Sequence, residues 1–326
     1  MEKVLVTGGA GFIGSYLVDA LLTQGIYVTV FDNLSTGRLR NIKEWLTHKN
    51  FTFIKGDLLN PVDIEKLEKN QYKIVFHLAA NPEVRVGSTN PSIHFQQNVV
   101  ATEMLLEHFR NSQSTFTVLF VSTSTVYGEP AKIPTKENYA PLKPISIYGA
   151  TKLACESLIS AYAYTYGFKA IIYRLANIVG PRSEHGVIYD LVQKLRKKPN
   201  DLEILGDGTQ NKSYLYIRDC IEAMLLGLEK SKEQVGIYNI GSEDQINVKE
   251  IAHIVIEEME LKNVKLKFTG GVDGGRGWKG DVKNMLLDIS KIKALGWKPK
   301  LNSKQAMKKT VTSLIQKQSL GNNILK

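Results

Sequence analysis

The sequence predicts an α/β fold, a largely parallel sheet with helices on both faces, accompanied by a smaller, discontinuous second lobe. Two observations carry this. Short apolar runs of strand length alternate with segments of helical period as far as residue 177. A glycine-rich stretch, "GGAGFIG" at 8–14, stands directly between the first such run and the first helical segment.

Taken in order, residues 3–7, "KVLVT", read as a buried strand, and residues 13–24, "IGSYLVDALLTQ", carry apolar positions at helical spacing. "YVTVF" at 27–31, "FTFI" at 51–54, "KIVFHL" at 73–78 and "FTVLFV" at 116–121 are further strands, with helical or irregular intervals between them. A helix over 148–166, "YGATKLACESLISAYAYTY", leads into a strand over 169–177, "KAIIYRLAN". The pattern then loosens near "GPRSEHGVIYD", 180–190, and "LEILGDGTQNKSYLYIRD", 202–219, before a helix over 219–230 and a strand over 236–240. The chain is therefore expected to pass between two lobes more than once and to leave a cleft between them.

With 326 residues, 43% of them apolar, the chain can bury a large core, and it shows no internal repeat. The net charge of +10 favours anions. Much of the excess lies in the last fifty residues, in "WKPK", "KQAMKK" and "IQKQ", without the interleaved aromatics that would make a nucleic-acid surface specific, so no specific nucleic-acid partner is expected. Cys155 and Cys220 stand alone in helical patterns with no CxxC partner, which reads as two buried thiols in a reducing compartment. The opening "MEKVLVTGG" has no signal-peptide core, and no apolar run approaches the roughly 18 residues of a membrane span. A cytoplasmic location without a membrane partner is the expectation.

The glycines at 8, 11 and 14 permit a tight turn and close approach of backbone to a pyrophosphate, while the helix start supplies N–H groups and a positive dipole end. An acidic residue, Asp32, ends the second strand, where its carboxylate can accept the adenosine ribose hydroxyls and oppose a 2′-phosphate. The cofactor expected is therefore NAD; Arg38 is the one neighbour whose loop, if folded back, could neutralise a 2′-phosphate. Cofactor contacts are expected from Gly8, Gly11, Phe12, Ile13 and Gly14, from Asp32 and Asn33, from Asp57 and Leu58 in "GDL", and from Leu78, Ala79 and Ala80 in "HLAAN". His77 has no second ligand beside it and reads as a packed or hydrogen-bonded histidine, not a metal site; no metal is expected.

Tyr148 and Lys152 are four apart on the predicted helix and face one side. A lysine cation and a positively charged nicotinamide would favour phenolate, which makes Tyr148 a proton acceptor and Lys152 its partner and a holder of the nicotinamide ribose. A strand-end hydroxyl from 122–125, "STST", would complete the set; composition alone does not choose among the four.

"TGGAGFIG", "DNLS", "HLAAN", "STSTVYG", "YGATK" and "RLANIVGP" occur in the order found in extended short-chain dehydrogenase/reductase proteins that modify nucleotide sugars, and the chain resembles the UDP-glucose 4-epimerases among them, particularly compact archaeal-type members. The resemblance implies a Rossmann-type parallel sheet with a smaller, discontinuous substrate-binding lobe. It implies retained NAD, a UDP-sugar substrate interconverted between UDP-glucose and UDP-galactose, and a homodimer. It also implies Thr123 as the catalytic hydroxyl beside Tyr148 and Lys152, and Asn98 of "QQNVVAT" near the cofactor. For the lobes it implies an NAD-binding domain of 1–176 and 213–241, a substrate-binding domain of 177–212 and 242–315, and a C-terminal tail of 316–326.

Related 4,6-dehydratases place Asp and Glu directly after the catalytic threonine, because eliminating water requires a further acid and base. Here Ser124 and Thr125 stand there, and Thr125 also replaces the glutamate usual in UDP-glucuronate decarboxylases. On the substrate side the resemblance implies contacts from Asn177, Lys212, Tyr214, Arg276 and Asp281. Lys212 stands where arginine is common, and lysine lacks its two-pronged geometry; Arg276 and Asp281 in "RGWKGD" are spaced more widely than the usual RxGD.

Overall fold

Apolar runs buried on both faces become the strands of one sheet. The computed structural model describes residues 3–67, 72–110 and 116–323. Along the chain run β1 (Lys3–Thr7), α1 (Phe12–Thr23), β2 (Tyr27–Asp32), β3 (Phe51–Lys55), α2 (Pro61–Ile64), β4 (Tyr72–His77), α3 (Pro91–His94), α4 (Ala101–Arg110), β5 (Thr117–Thr123), α5 (Ile147–Tyr166), β6 (Lys169–Leu175), β7 (Asn177–Val179), α6 (Val187–Lys197), β8 (Asp201–Ile204), β9 (Asn211–Lys212), β10 (Tyr214–Tyr216), α7 (Ile217–Lys230), β11 (Val235–Ile240), β12 (Ile246–Asn247), α8 (Val248–Glu258), β13 (Lys265–Phe268), β14 (Asn284–Met285), α9 (Ser290–Ala294) and α10 (Ser303–Asn323). The expected tail from 316 continues α10, and its residues 324–326 lie outside the described residues.

The chain divides into two units: Met1–Gly128 with Ala140–Leu175 and Ile221–Asn239, and Glu129–Tyr139 with Ala176–Cys220 and Ile240–Lys326. The first holds the seven-stranded sheet, in the order β11-β6-β5-β4-β1-β2-β3, all parallel as the Rossmann-type reading expects. Its order reverses between β4 and β1, so the carboxyl ends of these two strands diverge around the glycine loop, where such sheets bind ligands. Register sets Thr7 opposite both Phe31 and His77. Leu5, Phe31, Val75, Phe120 and Ile172 from the strands pack with Leu105 and Ile159 of the covering helices in one buried core. At about 25 cal/mol per Å² of apolar surface removed from water, such burial is the main force joining helices to sheet.

Helix α5 has clear causes at both ends. Ser146 caps it, its Oγ accepting the Gly149 N–H at 3.1 Å, and Gly167 ends it in the left-handed region at φ +79. After β5 the chain turns through a 3₁₀ segment, Ser124–Tyr127, to Gly128 at φ +65; a Cβ there would lie 1.9 Å from the Lys143 carbonyl oxygen, so this turn requires glycine.

The second unit is built from small sheets: β7 with β10, β12-β9-β14, and β8 with β13. Helix α8 carries a full capping box between Asn247 and Glu250. The helix α6 lies in the stretch from 180 to 190 and beyond where the sequence pattern loosens; its apolar face, Ile188, Leu191, Val192 and Leu195, starts only after the irregular "GPRSEHG".

Candidate active site

The glycine loop leaves β1 with Gly8 at φ +70, its N–H donating to the Phe31 carbonyl at 2.9 Å and its carbonyl accepting the Gly11 N–H at 3.0 Å. A Cβ on Gly8 would come within 2.7 Å of the Ala79 backbone nitrogen, so this loop and the end of β4 meet backbone to backbone. Gly8→Ala is therefore expected to cost about 1–3 kcal/mol, from left-handed strain plus that clash. Chemical denaturation of the two proteins checks it; an unchanged midpoint would contradict it. Gly11 caps α1 with no side-chain hydrogen bond, which leaves the first-turn N–H groups around Phe12, Ile13 and Gly14 to other acceptors.

Asp32 is buried at the end of β2, one carboxylate oxygen accepting the Ala10 N–H at 2.9 Å and the other the Leu34 N–H at 2.8 Å. Burial pushes its pKa up, and the two N–H bonds oppose that rise. Asn33 and Asp57 are joined, the amide donating at 3.0 Å, while Asp57 also accepts the Leu59 N–H and gives its own N–H to Asp63. Leu58 is buried in the core. The Arg38 backbone N–H reaches the Ala10 carbonyl, and its guanidinium donates to the adjacent Gly37 carbonyl.

Past β4, the Leu78 and Ala79 N–H groups bond Thr7, through its carbonyl and its hydroxyl. His77 is fully buried between two threonines at 2.8 Å each, Thr7 Oγ1 at Nδ1 and Thr102 Oγ1 at Nε2. Thr102 gives its own proton to the Asn98 carbonyl at 2.6 Å, so Nε2 is the histidine donor. Burial, then the Lys152 charge, hold this imidazole neutral, with its pKa near 3. It is a structural bridge, as its sequence setting suggested. Asn98 lies in a π-turn, Phe95–Val100, that opens the helix enough to aim its amide sideways: Oδ1 accepts the Asn81 N–H at 2.8 Å, and Nδ2 donates to Thr151 at 3.1 Å.

At the sheet's next strand end, the Thr123 hydroxyl lies beside the Tyr148 phenol and favours its ionised form, and Thr123 Oγ1 lies 3.2 Å from Thr125 Oγ1. Ser122, the first of the four adjacent hydroxyls, turns instead to Glu156. Lys152 is buried one helical turn past Tyr148, its ammonium 3.9 Å from the Phe120 ring centroid. Desolvation drives its pKa down to about 8, although Cys155 and Glu156 pull it upward. Desolvation pushes the Tyr148 phenol up to about 12, outweighing the Thr123 hydroxyl, so the protein's own groups do not make the phenolate.

In the second unit Lys212 and Asp281 form an ion pair at 2.6 Å, with Asp281 also accepting the Gly277 N–H and the Lys212 ammonium 5.7 Å from the Trp278 ring. Tyr214 is buried near them; burial, then the Asp281 charge, raise its pKa. Asn177 donates its amide to the Ser213 carbonyl at 3.2 Å. Arg276 is held elsewhere, by Glu129 at 2.5 Å and by the Asp273 carbonyl. Among the described residues no cluster of His, Cys, Asp or Glu could hold a metal, and no helix is long and apolar enough to cross a membrane.

The family described as GDP-mannose 4,6 dehydratase matches residues 5–310. The chain belongs to the extended short-chain dehydrogenase/reductase family. Within this family it falls among the NAD-dependent enzymes that handle nucleotide sugars through 4-keto intermediates. A Methanocaldococcus jannaschii member, provisionally named a UDP-glucose 4-epimerase, is 34% identical over 94% of this chain and 97% of its own. A UDP-galactose 4-epimerase crystal structure superposes with a TM-score of 0.85 at 42% identity, covering 97% of this chain and 99% of that one. A Bacillus cereus UDP-glucuronic acid 4-epimerase, solved with UDP-glucuronic acid and NAD, gives a TM-score of 0.85 at 30% identity over 96% of this chain and 99% of that one.

Three residues that shape the family site here escape a sequence reading. Glu156 continues the four-residue spacing from Tyr148 and Lys152, a signal that was available. Arg174, in "RLAN", pairs with it. Glu129, which holds Arg276, follows the "VYG" turn with no marker of its own.

Proposed function

We propose that this chain is a UDP-hexose 4-epimerase, with UDP-glucose and UDP-galactose as the first pair to test. The observation that supports it is the Thr123 hydroxyl beside the Tyr148 phenol, at a strand end where no acidic pair follows the threonine. NAD is the cofactor, and the residues fit it. Gly8 leaves no room for a side chain, the α1 start offers N–H groups, and Asp32 presents a carboxylate pinned by two backbone N–H groups for ribose hydroxyls. When bound, NAD supplies a hydride acceptor for C4 that later returns the hydride.

The protein moves the proton. Tyr148 takes it from the sugar O4 and later gives it back, Thr123 orients that oxygen, and Lys152 keeps a positive charge beside the nicotinamide ribose. The 4-keto sugar turns over and is reduced on its opposite face, so net redox change is zero. Gly11, Phe12, Ile13, Gly14, Asn33, Asp57, Leu58, Leu78, Ala79, Ala80 and Asn98 complete the cofactor surface. Asn177, Lys212, Tyr214, Arg276 and Asp281 receive the UDP-sugar. Asp281 steadies Lys212 for phosphate, and Arg276 exchanges Glu129 for the diphosphate. The homodimer and the cytoplasmic location belong to the same proposal.

A second reading, epimerisation of a glucuronic or N-acetylated UDP-hexose or another reaction through a 4-keto sugar, is favoured by the spread of the relatives, which includes the UDP-glucuronic acid 4-epimerase. Incubation with a panel of UDP-hexoses, read by NMR, is expected to show C4 exchange with no net reduced cofactor. Stoichiometric reduction or a dehydrated product would point to the second reading's oxidoreductases, and no reaction with any member would reject both.

A further inference from the structure

Beneath the Thr123 turn lies a buried polar cluster that the proton transfer does not use. Glu156 is two turns past Tyr148 on α5, in the same stripe as Lys152. Its Oε1 accepts the Ser122 hydroxyl at 2.5 Å and the Arg174 Nε at 3.1 Å; its Oε2 accepts Arg174 Nη2 at 2.7 Å. Arg174 Nη1 donates to the Tyr127 hydroxyl at 3.0 Å, and Tyr127 passes its proton to Asn239 Oδ1 at 2.8 Å. All five side chains are buried.

Ser122 directly precedes Thr123 at the end of β5, and Tyr127 closes the 3₁₀ segment Ser124–Tyr127 that follows it. One ion pair therefore grips both ends of the segment that carries the catalytic hydroxyl and fastens it to the helix that carries Tyr148. A buried ion pair is weak evidence for added stability, because desolving two charges costs about what their attraction returns. The hydroxyl–carboxylate bond and the double grip instead give geometric definition, which proton transfer demands.

The same carboxylate also acts on Lys152. The titratable groups that act on that ammonium are Cys155 and Glu156 on its own helix and His77 on β4; Phe120 of β5 presents its ring. His77 is neutral, and burial pushes the Cys155 thiol up, away from thiolate. Glu156 is the carboxylate acting on Lys152 among the described residues.

We propose that Glu156 is a positioning residue of this reaction, aligning Thr123 through Ser122 and the Arg174–Tyr127 arm and keeping Lys152 cationic in its buried setting. The proposal rests on the epimerase reading for its kinetic half and stands alone for its electrostatic half.

Two measurements on the full-length protein test it. In a double-mutant cycle, Ser122→Ala is expected to lower kcat about tenfold with KM unchanged in the wild-type background, and to change nothing in the Thr123→Ala background. An equal loss in both backgrounds, or no loss in either, overturns the positioning half. In carbon-13 lysine NMR, with the Lys152 signal identified by its disappearance in Lys152→Met, Glu156→Gln is expected to move the Lys152 midpoint down by about one pH unit. Glu156→Gln/Arg174→Met, which strands no charge, serves if the single variant does not fold. An unmoved midpoint overturns the electrostatic half. Wild-type protein that exchanges no UDP-hexose would instead sink the epimerase reading, and the lysine titration would still decide whether Glu156 governs Lys152.

Discussion

Tyr148→Phe is expected to lower C4 exchange about a thousandfold while the protein retains its dinucleotide, since general acid–base groups contribute roughly 10²–10⁴. The phenol sits beside the Thr123 hydroxyl, so removing one oxygen takes away the proton acceptor and little packing. The pH dependence has a definite sign. Desolvation holds the phenol up to about 12, so at neutral pH Tyr148 is protonated unless bound cofactor charge lowers it. Wild-type exchange is therefore expected to rise with pH below the Tyr148 midpoint, and that midpoint, with the oxidised dinucleotide bound, should lie below the value of about 12 set by desolvation. The Phe variant should show neither limb. Substantial exchange by Tyr148→Phe, with the same pH profile, would assign the proton to another group.

Lys152→Met is expected to abolish exchange and yet make the protein more stable at neutral pH. Burial depresses the Lys152 pKa from 10.5 to about 8, which makes its charge a liability of about 3 kcal/mol below that pH at about 1.4 kcal/mol per unit. The lost attraction to the Phe120 ring, at 3.9 Å, returns about 1–2 kcal/mol of this, leaving a net gain of about 1–2 kcal/mol for the variant. For a cation whose folded pKa lies below its unfolded value, the unfolded chain binds the extra proton between the two. Wild-type stability from this residue therefore rises as pH climbs from about 8 to 10.5, and the variant's advantage should vanish over that window. Urea denaturation at pH 7 and at pH 10 checks the sign; a variant less stable at pH 7 would contradict it.

How much was legible varies with the range of the interaction involved. The glycine loop, the strands at 3–7, 27–32 and 51–55, and helix α5 follow from local period and from residues with fixed backbone preferences, and the structure has them within a residue or two of expectation. The strand expected over 169–177 breaks into β6 and β7, because Ala176 bonds the Ile240 carbonyl and the chain passes into the second unit there. Residues 129–139, read as part of the first lobe, pack with the second unit. That follows from the pairing of Thr135 with Leu287, a contact over a long sequence separation that no local pattern carries. Helical spacing shows Lys152 on the same face as Tyr148, but the desolvation that raises the phenol's pKa depends on what packs around it and has no local pattern. The Arg276–Glu129 pair, 147 positions apart, has no signature in either neighbourhood.

The seven-stranded sheet has a biosynthetic consequence. Its edge strand β11, at Val235–Ile240, lies against β6, which ends at Leu175, and the intervening chain runs through the second unit before returning. Until the ribosome has released that return segment, β6 presents an open row of amides flanked by buried apolar residues, the kind of margin on which nascent chains adhere to one another. A fragment stopping anywhere short of Val235 would leave this margin bare for good, so the dinucleotide-binding half of the molecule cannot be obtained by cutting the polypeptide once.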